Sequence, residues 1–153
     1  MSLTTDEQKI TSQENRITDL ENELEGSRFE IPLLKIAEGV LMVPLMGTMD
    51  SVKSQKVMED ILINIKLNET KVVVIDIAGI TVIDSSVAAH LIKIAKATNL
   101  MGCKSIVSGI SPIIATNIVN LGVDVSDIET TNTLKDSMVK AYNYIGYELV
   151  KKN

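Results

Sequence analysis

The residues of this chain equipped for chemistry are few and gathered at two places. Asp84, Ser85 and Ser86 stand where an apolar run gives way to a helical pattern, in "TVIDSSVAAHLIKIAKATNL". Ser108, Gly109 and Ser111 follow a second apolar run, in "IVSGISP". Such a set suits three roles: a helix cap, a nucleophilic centre, or a place where a phosphate is written. The cap reading needs only Asp84, whose carboxylate accepts first-turn N–H groups at an N-cap.

Catalysis fares worse. The single histidine, His90, lies five residues beyond Ser85. On a helix five residues turn by about 500°, leaving the two side chains roughly 140° apart around the axis. A Ser-His-Asp set from Asp84, Ser85 and His90 fails on that geometry, and no G-x-S-x-G elbow is present. One histidine and one cysteine cannot assemble a zinc set. Asp50, Asp76 and Asp84 are scattered carboxylates, and neither G-x-x-x-x-G-K-[ST] nor G-x-G-x-x-G follows a strand. The sequence therefore predicts no enzyme, no cofactor and no metal.

The phosphate reading has a physical basis. A phosphate on Ser85 would sit at a helix N-terminus, where free N–H groups and the dipole favour an anion. It would add about −1.5 to −2 charges to a surface held rigid by the sheet beneath. Asp84 beside it would oppose that charge, so the modification would disrupt a contact more readily than it would reorganise the fold.

The elements that must position these residues alternate. Two apolar runs around Glu38-Gly39 predict a hairpin. Met58, Ile61, Leu62 and Ile65 mark a helix over about residues 50–67. "KVVVIDIAG" is a continuous run suited to a strand buried on both faces. Val87, Leu91, Ala95 and Thr98 line a helix over 84–101, and "CKSIVSG" is another buried strand. Ser111 as N-cap and Pro112 at the first position open a helix ending at Gly122. A short strand over 127–130 precedes a last helix carrying Leu134, Met138, Ala141, Ile145 and Leu149. The order β-β-α-β-α-β-α-β-α predicts an α/β fold, with a mainly parallel sheet and one antiparallel pair. If the two serine-bearing strands are neighbours, Ser85 and Ser108 share one face at the carboxyl edge.

Residues 4–26 differ. Ile10, Ile17, Leu20 and Leu24 form a short heptad stripe that Gln13 interrupts, with Gly26 as a C-cap signal. This divides the chain into a linker helix or tail, 1–27, and a domain, 28–153.

Composition excludes several partners. A formal charge of −5 without a basic stripe argues against nucleic acid. No apolar run approaches the roughly 20 residues that span a bilayer. With no signal peptide a cytoplasmic location is expected. The lone Cys103 precludes an internal disulfide and reads as a buried thiol.

Three motifs in order resemble those of the STAS domain, the fold of anti-sigma-factor antagonists. They are D-[ST]-x-V-A-x-H-L from Asp84, L-x-G-x-x-x-[IV]-x-[ST]-G-I-x-P-x-I-A from Leu100, and L-G-[VI]-D-[LV] from Leu121. Over about residues 30–145 the chain looks most like the RsbR-type scaffold of the bacterial stressosome.

That resemblance implies a non-enzymatic scaffold, a homodimer or larger assembly joined by a smaller STAS-domain partner. It implies a serine/threonine switch kinase that is held, phosphorylates its scaffold and is released. By position the phosphorylated residues would be Ser85 and Ser108, supported by Asp84, Ser86 and Gly109. The heptad segment would correspond to the linker helix that joins paired sensory domains to the scaffold. The chain departs from the pattern by carrying serine where RsbR-type proteins usually carry threonine at both positions. Serine at the first is more typical of the small partner and of simple antagonists. The resemblance leaves two other roles open: an anti-anti-sigma factor binding an anti-sigma kinase, and the cytoplasmic STAS module of an anion transporter.

Overall fold

The computed structural model describes residues 5–28, 31–81 and 85–153, with side chains described outside 18–28 and Ser85. The chain forms two compact units, Met1–Glu30 and Ile31–Asn153. The first is a single helix, α1 (Thr5–Arg28), on which the heptad residues Ile10 and Ile17 are exposed. The helix continues through Gly26, the residue at which the sequence predicts its end. Glycine inside a helix costs only about 1 kcal/mol relative to alanine, a weak signal that flanking helix formers override.

The second unit is built on a five-stranded sheet. Strand β1 (Leu34–Ala37) turns through Gly39, at φ +84°, into antiparallel β2 (Val40–Gly47). Strands β3 (Val72–Ile80), β4 (Lys104–Ser108) and β5 (Glu129–Thr131) then add in parallel, in the spatial order β1-β2-β3-β4-β5. The connecting helices are α2 (Ser51–Asn68), α3 (Ser85–Leu100) and α4 (Pro112–Asn120), and the last element is α5 (Leu134–Tyr144).

A parallel sheet that grows in one direction through right-handed crossovers keeps its crossover helices on one face. The packing has that form. Alternating strand residues Leu41, Val43, Leu45, Val73, Ile75 and Ile77 belong to one core with Val57 and Ile61 of α2, Val87 and Leu91 of α3, and Ile114 of α4. Their strand neighbours Val40, Val72, Val74 and Ile106 belong to a second core with Ala141, Leu134 and Met138 of α5. The period of two along each strand thus supplies both faces, and β3 is buried on both as its continuous run predicts.

The final helix ends earlier than its periodicity suggests. Ile145 is its C-cap, Gly146 takes φ +98°, and Leu149 lies beyond the helix with 55% of its surface exposed. A glycine in the left-handed region closes a helix at little steric cost, and here that backbone choice outweighs one more apolar residue in register.

Candidate functional site

The parallel register brings the carboxyl ends of β2, β3, β4 and β5 to one edge. Gly47 pairs with Ile80, Asp76 with Ser108, and Ser108 with Thr131. Both serine clusters follow these ends: α3 begins at Ser85 after β3, and Ser108 is the last residue of β4. The shared edge expected from the sequence is therefore the arrangement of the main chain.

Ser108 is fully buried. Its hydroxyl donates to Oδ1 of Asp76 at 3.2 Å, and the same oxygen accepts the Ala78 N–H at 3.2 Å. A half-buried carboxylate and a buried hydroxyl on adjacent strands thus satisfy each other. Asp76 read in the sequence only as a scattered carboxylate. The available signal was its position, a lone charge within a β-branched run.

The link from β4 to α4 is three residues long and tightly held. Gly109 adopts φ +80°, and a Cβ there would lie 2.9 Å from both the Cβ and the N of Ala78. Only glycine meets both conditions. Its N–H donates to the Thr131 carbonyl at 3.3 Å, joining the link to β5. Ser111 then caps α4, its Oγ accepting the Ile114 N–H at 3.3 Å, with Pro112 at the first helical position.

At α3 the main chain places Ser85 as the first helical residue. Asp84 and the side chain of Ser85 lie outside the described residues, and with them the capping role expected of Asp84. Ser86 is exposed. With Val87 and His90 it lines an open hollow shared with Thr48, Met49, Asp50 and Ser51 at the start of α2. Asp50 there acts as the N-cap of α2, accepting the Lys53 N–H at 2.7 Å. Among the described residues no three His, Cys, Asp or Glu side chains are grouped to hold a metal ion. No described helix is long and apolar enough to cross a membrane. Cys103 is buried at the start of β4, and desolvation pushes its thiol up to about 12. It is no nucleophile near neutral pH.

Comparison with known proteins agrees with this geometry. Residues 32–137 match the STAS domain. The chain is 38% identical over 119 residues to the RsbT co-antagonist protein RsbRA of Bacillus subtilis, covering 78% of this chain and 43% of that protein. It spans less than half the length of the RsbR co-antagonists it matches. Among solved structures, an RsbS variant of Moorella thermoacetica superposes with a TM-score of 0.65 at 28% identity, covering 77% of this chain and 99% of that one. A chain from the stressosome, described as a signal integration and transduction hub, gives 0.62 at 27% identity, covering 76% and 100%. The mixed α/β fold, the motif order and these relatives lead to one conclusion: the chain belongs to the STAS domain family, with RsbR-type stressosome proteins among its relatives.

Proposed function

We propose that this chain is a non-enzymatic scaffold of stress signalling, which holds a serine/threonine switch kinase and releases it on phosphorylation. The observation that carries the reading is the 38% identity to an RsbT co-antagonist across 119 residues. It acts in the cytoplasm, assembled with further copies of itself and with a smaller STAS-domain protein. Ser85 is the primary acceptor. It opens α3 at the carboxyl edge of the sheet, where the N-terminal dipole tolerates an added phosphate and a docked kinase would feel it. Ser108 is a second acceptor, reached only when the link from β4 to α4 opens, because its hydroxyl is buried against Asp76. Asp84, Ser86 and Gly109 support these two positions.

Kinase retention tests the proposal. Wild type and Ser85→Ala should hold the kinase in a pull-down without ATP. With Mg-ATP, wild type should release it and gain phosphate on Ser85, Ser85→Ala should retain it, and Ser85→Asp should retain little at any time. Equal retention by all three proteins, with no phosphate on Ser85, would overturn the switch. The serine at position 85 favours one further reading, a simple anti-anti-sigma factor that binds an anti-sigma kinase directly. Light scattering separates the two. The scaffold forms particles far heavier than a dimer when mixed with its smaller partner, and the simple antagonist does not.

A further inference from the structure

Behind the link that follows Ser108 lies a cavity of about 150 Å³. It is lined by seven aliphatic residues and Thr130. Leu91 of α3 and Val107 of β4 form a buried floor. Ile110 and Ile118 form half-buried sides, and Val125 and Ile128 come from the irregular segment between α4 and β5. Folded interiors leave few voids larger than a water molecule. A cavity of this size lined by aliphatic groups offers water almost no partners, whereas a benzene-sized molecule fits one of about 150 Å³.

We propose that this cavity is a binding site for a small, neutral, apolar molecule, the size of one aromatic ring or a short branched hydrocarbon. The lining supplies dispersion contacts and no charged group. The segment contributing Val125 and Ile128 also carries Asp124 and Asp127, both exposed, which oppose an anionic ligand. Within that segment the Ile128 N–H donates to the Val125 carbonyl at 3.0 Å, and Asn99 Nδ2 of α3 donates to the Asp127 carbonyl at 3.3 Å. Val107 and Ile110 bracket Ser108 and Gly109, so an occupant packs directly against the link that must open to expose Ser108. The binding site itself does not depend on the proposed kinase function.

Benzene is the probe, titrated into the full chain and followed by methyl NMR and by thermal unfolding. Saturable shifts confined to the methyl groups of Leu91, Ile92, Val107, Ile110, Ile118, Val125 and Ile128, with a rise in Tm, are expected. Val125→Phe fills the cavity from the loop and Ile118→Phe from α4. Either variant, if folded, should weaken benzene binding at least tenfold. The wild-type shift map stands alone if both variants fail to fold. Shifts that do not saturate, that fall on the opposite core around Val74 and Ile106, or that persist with unchanged affinity in a folded filling variant overturn the site.

Discussion

Asp76 and Ser108 set the energetics of the site at the scale of single residues. A charge placed at position 108 would be buried beside a carboxylate, without a counter-ion among its hydrogen-bond partners. Ser108→Asp is therefore expected to lower stability by about 3 kcal/mol or more, read as a fall in the urea midpoint. Ser85→Asp places its charge at a helix N-terminus and should change the midpoint little, since that location favours an anion by about 0.3–1 kcal/mol. Equal losses from the two substitutions would contradict the burial difference. Gly109→Ala meets both a left-handed backbone and the crowding of Ala78, an expected loss of about 2–4 kcal/mol by the same measurement. Cys103 makes a pH prediction. Its folded pKa of about 12 lies above that of the free thiol. The contribution is fully present below about pH 8.5, the unfolded value, and is lost as pH rises toward 12. A thiol reagent at pH 8 should leave the native protein unmodified and react once urea unfolds it.

At the scale of elements, β5 is the most exposed strand of the parallel series and depends on charged neighbours. Glu129 lies 2.9 Å from the Lys104 ammonium and 3.1 Å from that of Lys140 on α5. The hydrogen bond from Lys104 does most to hold its carboxyl below the ordinary value; burial opposes it, and the weaker effect of the hydrogen bond from Lys140 adds to the lowering. A depressed folded pKa contributes stability above the unfolded value of about 4.3, lost as pH falls through the folded one. The pair is partly solvated, so the expected contribution is under about 1 kcal/mol. Glu129→Gln should flatten the acid limb of the stability curve below pH 4.5 and respond less to added salt. An acid limb identical to wild type would show that the lysines do not hold β5. The helices need no such help: α2, α4 and α5 each begin at a side-chain cap, from Asp50, Ser111 and Thr133. Of these the sequence singles out only Ser111, which the proline after it marks as a cap; the capping roles of Asp50 and Thr133 emerge from the structure. The end of α5 was not legible in the sequence, because the apolar spacing to Leu149 competes with a glycine whose φ depends on the backbone around it.

At the scale of the whole molecule, residues 31–153 contain both apolar cores and the entire sheet. A fragment of those residues should unfold cooperatively, with a Tm within a few degrees of the full chain by calorimetry. A broad or missing transition would mean that α1 completes the fold. The sequence by itself determined the order of elements, the two serine clusters at strand ends, and the family to which their motifs belong. All of these are written in local periodicity and short spacing, within reach of a few turns or one strand. Tertiary structure alone decided that Ser108 is sealed against Asp76, a partner 32 residues away. It alone decided that Gly109 must clear Ala78, and that an apolar cavity remains behind the link. Register and burial arise when distant segments compete for the same space, and no single stretch of chain carries that outcome.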